Sequence, residues 1–408
     1  MNRAQALAVA AALFLFSFAD AGAADPFARD IGPATGLLPH GLTNTSTQGE
    51  TPVFDFDGDG LLDMVLSTHG GSSWPLMRGN AGGTFTERSN FAKTDRHGCA
   101  AADLGSPTGD GLPDGLPDLY CVTGACKGNC KKNYPNHLYL QQSDHSFTET
   151  GAAWGVGDPH GRGRVPLILD YDRDGLPDIA VINEGPSIYP TPSRLYRNVG
   201  GRFEEVPDAA LNQETWSICG KAVDYDGDGW TDLVLCTDRT SALRMVTYRN
   251  NQGRFEDVTA STAYKGLRTR EFEFADMNGD GRPDLLILEE KRFSVWLNVD
   301  GAFPKLSYKR ALNLGRDLAV GDVNLDGKPD VYIGQGKNAS LGDLLLINNG
   351  NGKSYHANAN PLPKATRGDT DVVTAIPNWA NSGRAAFLIS NGKWGASGPY
   401  QLIVFSDG

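Results

Sequence analysis

One acidic phrase recurs along this chain, and its carboxylates have the spacing of a cation cage. The first copy is Asp55-Phe-Asp57-Gly-Asp59-Gly60-Leu-Leu-Asp63. Clean copies follow at Asp170, Asp172, Asp174 and Asp178, and at Asp224, Asp226, Asp228 and Asp232. Two more carry Asn at the third place: Asp276, Asn278, Asp280, Asp284 and Asp322, Asn324, Asp326, Asp330. Numbering each copy from one to nine, side chains at positions one, three and five of a tight loop converge while Gly at six lets the backbone turn. A carbonyl at seven can add an oxygen, and the carboxylate at nine closes the cage. All-oxygen ligands on flexible carboxylates suit Ca²⁺, whereas Zn²⁺ takes Cys or His. The competing reading, solvated acidic turns without metal, leaves four like charges repelling one another.

Two further copies depart from the pattern. One starts at Asp103 and ends Asp110-Gly-Leu-Pro-Asp114-Gly-Leu-Pro-Asp118, as though a four-residue unit were duplicated. The other, Asn378 to Ala386, keeps the spacing and Gly383 but has lost its acids. The first residues of successive copies lie 48, 67, 54, 52, 46 and 56 apart, an internal repeat of propeller-blade length. Around Asp224 the pattern predicts four short strands: Ser217–Val223, Leu233–Cys236, Leu243–Asn250 and Arg254–Val258. A turn Gly followed two residues later by an aromatic recurs at Phe85, Phe203, Phe255 and Phe303, where the ring would plug between blades.

Four strands in seven units predict an all-β fold, a seven-bladed β-propeller with four antiparallel strands per blade. The C-terminal Leu402–Phe405 reads as a third strand with no fourth after it. Asp25-Pro-Phe27-Ala-Arg-Asp30-Ile resembles the fourth strand at Gly253-Arg-Phe255, so the N-terminal strand is expected to close the last blade and remove an open edge. Preceded by an apolar strand and followed by a Gly-x-Phe turn, the repeated phrase resembles the FG-GAP/VCBS repeats of integrin α-subunit-type propellers. The resemblance covers nearly all of residues 25–408 and implies structural calcium, about five ions, at Asp55, Asp57, Asp59, Asp63 and their counterparts.

The remaining sequence bounds the setting. Residues 1–23 read as a signal peptide: Arg3, an apolar run from Ala6 to Ala19, then Ala21-Gly22-Ala23. The rest, 24–408, is expected to be one exported domain, secreted or periplasmic, with no later stretch long enough to span a bilayer. A formal charge of −12 argues against nucleic acid as a partner. Eighteen of the 49 Asp and Glu sit in the five clean loops, and five bound Ca²⁺ would bring the charge to about −2. Export makes the six cysteines disulfide candidates. Cys99 and Cys121 flank one hairpin and Cys219 and Cys236 another in the same register, which leaves Cys126 and Cys130 to pin an inserted loop. A metal cluster at Cys121, Cys126 and Cys130 is the alternative.

In a propeller the acidic loops, joining strands one and two, occupy one face and leave the other for recognition. Loops between strands two and three on that free face include His69–Pro75 with Trp74, Thr123–Asn136 with Lys127, Lys131 and Lys132, Asn183–Ser193 with Tyr189, and Asn391–Pro399 with Trp394. Six residues before each acidic loop stand Gly49, His97, Arg164, Ile218, Arg270, Arg316 and Val372. Three arginines and a histidine at the channel mouth make an anion site, or else pair with Glu50, Glu271 and Asp317 beside them. Arg367-Gly368-Asp369 spells an adhesion tripeptide, and Asn44 and Asn338 head glycosylation sequons. The expected function is a calcium-binding adhesion module for a glycan or extracellular protein, an anionic one if the channel-mouth arginines form the anion site. The alternative is a polysaccharide lyase or hydrolase using a channel-mouth arginine with His97 or Tyr189. No P-loop, HExxH or G-x-S-x-G pattern is present in the sequence.

Overall fold

In a computed structural model the chain forms seven four-stranded antiparallel sheets. The structure describes residues 25–35, 51–66, 74–91, 96–108, 110–124, 134–185, 192–207, 210–211, 217–237, 245–336, 342–363, 370–393 and 396–407. Residues 1–23, expected to be a signal peptide, and Gly49, Glu50, Cys126, Cys130, the three loop lysines, Tyr189, Trp394, both sequons and residues 367–369 lie outside these. The fourth blade shows the plan: Ser217–Val223, Asp232–Thr237, Met245–Asn250 and Phe255–Asp257 pair in chain order from the channel outward. Each strand begins or ends within a residue or two of its expected bound, because apolar alternation and turn glycines set both limits.

The core is divided among the blade junctions. Seven separate apolar clusters each combine residues of two neighbouring blades. One of them joins Met64, Met77 and Phe85 of the first blade to Leu388, Tyr400 and Leu402 of the seventh, which closes the ring. The expected aromatic plugs are in place: Phe303 of blade five stacks near Tyr225 of blade four, and Phe85 against Trp379 of blade seven.

The seventh blade is completed by the N-terminal strand as expected. Phe27–Asp30 pairs antiparallel with Ala396–Ser406, from Phe27 opposite Ser406 to Asp30 opposite Ile403. This strand is also tied to blade six. The Asp25 carboxylate accepts hydrogen bonds from the Ala359 amide (2.6 Å) and the His356 ring (2.8 Å), and Asn360 donates to the Asp25 carbonyl. Both described disulfides, Cys99–Cys121 and Cys219–Cys236, join directly opposed residues of the first two strands, as the register predicted.

A candidate metal centre in each acidic loop

Position one shapes every loop. Its carboxylate accepts the amide N–H of the position-six glycine in blades one to six, and in blade seven the Asn378 side-chain oxygen does the same; all seven distances lie between 2.6 and 3.1 Å. Those glycines have φ of 75° to 89°, a left-handed conformation costly for other residues. Blade seven therefore keeps the shape of the loop without its charge. The damaged copy in blade two is resolved by the same bond. Asp103 accepts from Asp114 and Gly115, so the second of the duplicated units completes the loop and the first is the insertion. Gly105 stands where position three should be, so that loop lacks a carboxylate there.

Position nine does more than face a cage. In blades one to six its carboxylate is fully buried. One oxygen accepts the N–H of position two at 2.8–3.3 Å. The other accepts an N–H at the end of the third strand, at Gly79, Gln141, Asn198, Asn250, Asn298 or Asn348, at 2.6–2.9 Å. It pins the loop to the third strand. Burial pushes Asp63 up to about 6, Asp232 and Asp284 to about 7, Asp118 and Asp178 to about 8, and Asp330 well above the usual carboxylate range.

The sequence reading missed the residue at the end of the third strand. Asn198, Asn250, Asn298 and Asn348 each reach the position-two carbonyl of the preceding blade at 2.7–2.9 Å. Gln141 makes the same bond to Phe56, and Arg384 takes the role in blade seven by donating to Val323. Every such side chain couples one acidic loop to the next. The signal was present as an Asn five residues before the plug aromatic at Phe203, Phe255 and Phe303.

The donor set fits a hard cation. In blades one, three and four, oxygens of positions one, three and nine lie within 4.8 Å of one another: Asp55, Asp57 and Asp63; Asp170, Asp172 and Asp178; Asp224, Asp226 and Asp232. The Asp57 side chain is only 10% exposed, and its buried Oδ1 has no hydrogen-bond partner. A buried carboxylate oxygen without a donor is the atom a metal ion would satisfy. A guanidinium from the third strand lies against positions three and five in these blades, from Arg78, Arg197 and Arg249.

The opposite end of the innermost strands carries a second regularity. A β-bulge stands at His97, Arg164, Ile218, Arg270 and Arg316, five of the seven positions aligned in the sequence. In blade seven the extra residue is at 371, one before Val372. Bulges re-aim side chains, and those of Arg164, Arg270 and Arg316 lie near the end of the second strand. Arg164 pairs with buried Glu184, which Arg162 also approaches at 3.2 Å, and lies 3.3 Å from the His97 ring. Arg270 pairs with Glu290 at 3.2 Å and holds that carboxyl below its usual range. Arg316 runs over Gly336, where an added Cβ would meet its Nε. Among the described residues, Arg164 and Arg270 thus meet acids just past the second strand, Glu184 and Glu290. Asp317 binds the amides of Leu318 and Val373. Trp74 is a further correction. It begins the strand Trp74–Asn80, is 1% exposed and packs among Leu76, Phe91 and Leu119 rather than standing open in the loop.

Comparison with known proteins agrees with the repeat. A family model described as FG-GAP-like repeat matches residues 108–181, 170–235, 224–287 and 276–333, together more than half of the chain. Cartilage acidic protein 1 of Mus musculus is 28% identical over 180 residues, covering 30% of this chain and 28% of that protein. The Homo sapiens protein of the same name is 27% identical over 180 residues. Phosphatidylinositol-glycan-specific phospholipase D of Mus musculus is 33% identical over 112 residues, 25% of this chain and 13% of that protein. The match spans less than a third of the length of these relatives. A solved structure described as "Crystal structure of BBS1N in complex with ARL6DN, soaked with lead" aligns with a TM-score of 0.55 at 9% identity, over 94% of this chain and 97% of that one. That likeness is one of fold.

Proposed function

This chain belongs to the FG-GAP-like repeat family, and from that premise we propose that it is an exported, calcium-stiffened propeller that binds a glycan or protein ligand. The observation that carries the calcium reading is the unpartnered, buried Oδ1 of Asp57 within a set of three converging carboxylates. The five clean loops, in blades one and three to six, would hold one ion each. Bound there, calcium supplies a stiffening cross-link between the first two strands of a blade. Export fits the two disulfides and the leader-like start, and no helix among the described residues is long and apolar enough to cross a membrane.

Recognition is assigned to the face opposite these loops, where bulges present Arg270 and Arg316 beside one another's blades. Arg270 is the more accessible of the paired arginines there, at 29% side-chain exposure against 5% for Arg164. A ligand bearing carboxylates or sulfates would exchange with Glu290 for that guanidinium. The enzyme alternative has less support, because His97, its proposed proton carrier, is 4% exposed beneath Arg164. The test is a glycan array in calcium buffer with the wild type and Arg270→Ala/Arg316→Ala. Retention of acidic glycans by the wild type alone supports this face; equal retention by both proteins removes it.

A further inference from the structure

The five clean loops, compared with one another, solve one charge problem in two ways. Blades one, three and four carry Asp at position three, and Arg78, Arg197 or Arg249 on the third strand. Blades five and six carry Asn278 and Asn324 at position three, and at the third-strand place stand Leu297 and Ile347. The arginine is present wherever the extra acid is present and absent wherever it is not. Counting positions one, three and five with that third-strand residue, every loop carries a charge of −2, the value a divalent cation neutralises. Of the basic residues at position seven in the second group, Arg282 pairs with Asp300 at 3.1 Å, outside the loop's own acids, while Lys328 makes a looser, single-oxygen pair with position-five Asp326 at 3.8 Å and does not reach position three.

The geometry of the arginine is the same three times. Its Nε meets Oδ2 of position three and its Nη2 meets Oδ2 of position five: Arg78 on Asp57 and Asp59, Arg197 on Asp172 and Asp174, Arg249 on Asp226 and Asp228. The fork takes one oxygen of each carboxylate; the other is unpartnered in Asp57, while in Asp59, Asp174 and Asp228 it accepts the position-seven amide and in Asp172 and Asp226 the position-five amide. In blade five an amide stands in, with Asn278 Nδ2 donating to Asp280 at 3.0 Å. A fork that grips outer oxygens orients the carboxylates and cancels one charge, but its own positive charge opposes a dication nearby.

We propose that this third-strand arginine is a built-in counter-charge that sets the calcium affinity of blades one, three and four, holding their four-carboxylate loops together without metal and lowering their affinity to that of the Asn loops. The inference rests on the calcium reading above and concerns a positioning residue, so its test separates the two. Blade four carries its own reporter, since Trp230 stands at position seven while Leu61, Leu176, Arg282 and Lys328 occupy that place elsewhere. Terbium luminescence excited through tryptophan, displaced by calcium, therefore reads that loop, with Trp230→Phe as the control for assignment.

The expected result for Arg249→Leu is a roughly tenfold tighter calcium displacement constant together with a lower melting temperature in EGTA. Arg249→Gln, which keeps the length and one donor, is expected to tighten calcium equally with a smaller loss of metal-free stability. Asp226→Asn/Arg249→Leu, which gives blade four the residues of blade five, is expected to return to within about twofold of wild type. Unchanged or weaker calcium binding in both single variants would overturn the inference, because losing an arginine that only braces the loop lowers metal-free and metal-bound stability alike. If calcium fails to displace the Trp230-sensitised signal from the wild type, the calcium reading fails and the inference with it.

Discussion

Asn298 gives the sharpest stability prediction. Its side chain is 2% exposed and makes three bonds, one of them across a blade junction. Nδ2 donates to the Tyr225 carbonyl of blade four (2.7 Å) and to the Pro283 carbonyl (3.0 Å), while Oδ1 accepts the Gly301 amide (2.9 Å). Asn298→Ala leaves those three groups without their partner. The bond to Tyr225 is buried and the other two are partly open to water, so the first loss costs about 2 kcal/mol and the others nearer 0.5 each. The expected total is about 3 kcal/mol. Asn298→Asp keeps the acceptor for Gly301 but sets a carboxylate against two carbonyls, and it is expected to be at least as damaging. Exposed Asn349, bonded to Ser354, is the control, with a change below about 0.5 kcal/mol on substitution by Ala. Urea unfolding in EGTA, followed by tryptophan fluorescence, measures all three. A loss below about 1 kcal/mol in Asn298→Ala would refute the view that this residue couples neighbouring loops.

Three further outcomes follow from the same structure. Replacing Cys219 and Cys236 by Ala opens a 17-residue link and is expected to lower stability by about 3 kcal/mol, read by the same urea titration. Removal of residues 25–31 strips the fourth strand from blade seven and the Asp25 ties to blade six. Size-exclusion chromatography should then show self-association through the exposed Ala396–Ser406 edge, and an unchanged monomer would contradict the closure. Burial holds Asp118 at about 8 against 3.8 in the unfolded chain. The folded state thus keeps a proton that the unfolded state has released, so metal-free stability falls as pH rises from about 4 through 8. Asp118→Asn should flatten part of that slope, and an unaltered slope would remove Asp118 as its source.

Much of this architecture is legible in the sequence because its signals are local. Nine consecutive residues fix an acidic loop, and turn glycines and alternation bound the strands beside it, so blade number, closure by Phe27–Asp30 and both described disulfides could be read directly. What escaped was non-local. Asn250 resembles any turn asparagine until its partners, the Tyr171 and Thr231 carbonyls and the Gly253 amide, are brought together by two blades. Arg249 looks like a solvated strand residue until the hairpin sets it over Asp226 and Asp228. The bulges were half visible: counting back from the loops found their positions, but not that Glu184 and Glu290 meet the arginines there. Trp74 misled for a related reason. A tryptophan beside a loop reads as a ligand contact, whereas here the strand begins at that residue and its ring faces the next blade.

The central claim is that the acidic loops hold calcium, and the most direct test is a thermal melt of residues 24–408 in EGTA and in graded calcium. Each occupied site adds about 2.7 kcal/mol at a hundredfold excess over its Kd, so five sites should raise the melting temperature steeply with calcium and less with magnesium. Calorimetric titration of the same sample should reach about five ions per chain, one for each of the five clean loops. A melting temperature indifferent to calcium, with no heat of binding, would contradict the account and leave the acidic loops held by their own hydrogen bonds and arginines alone.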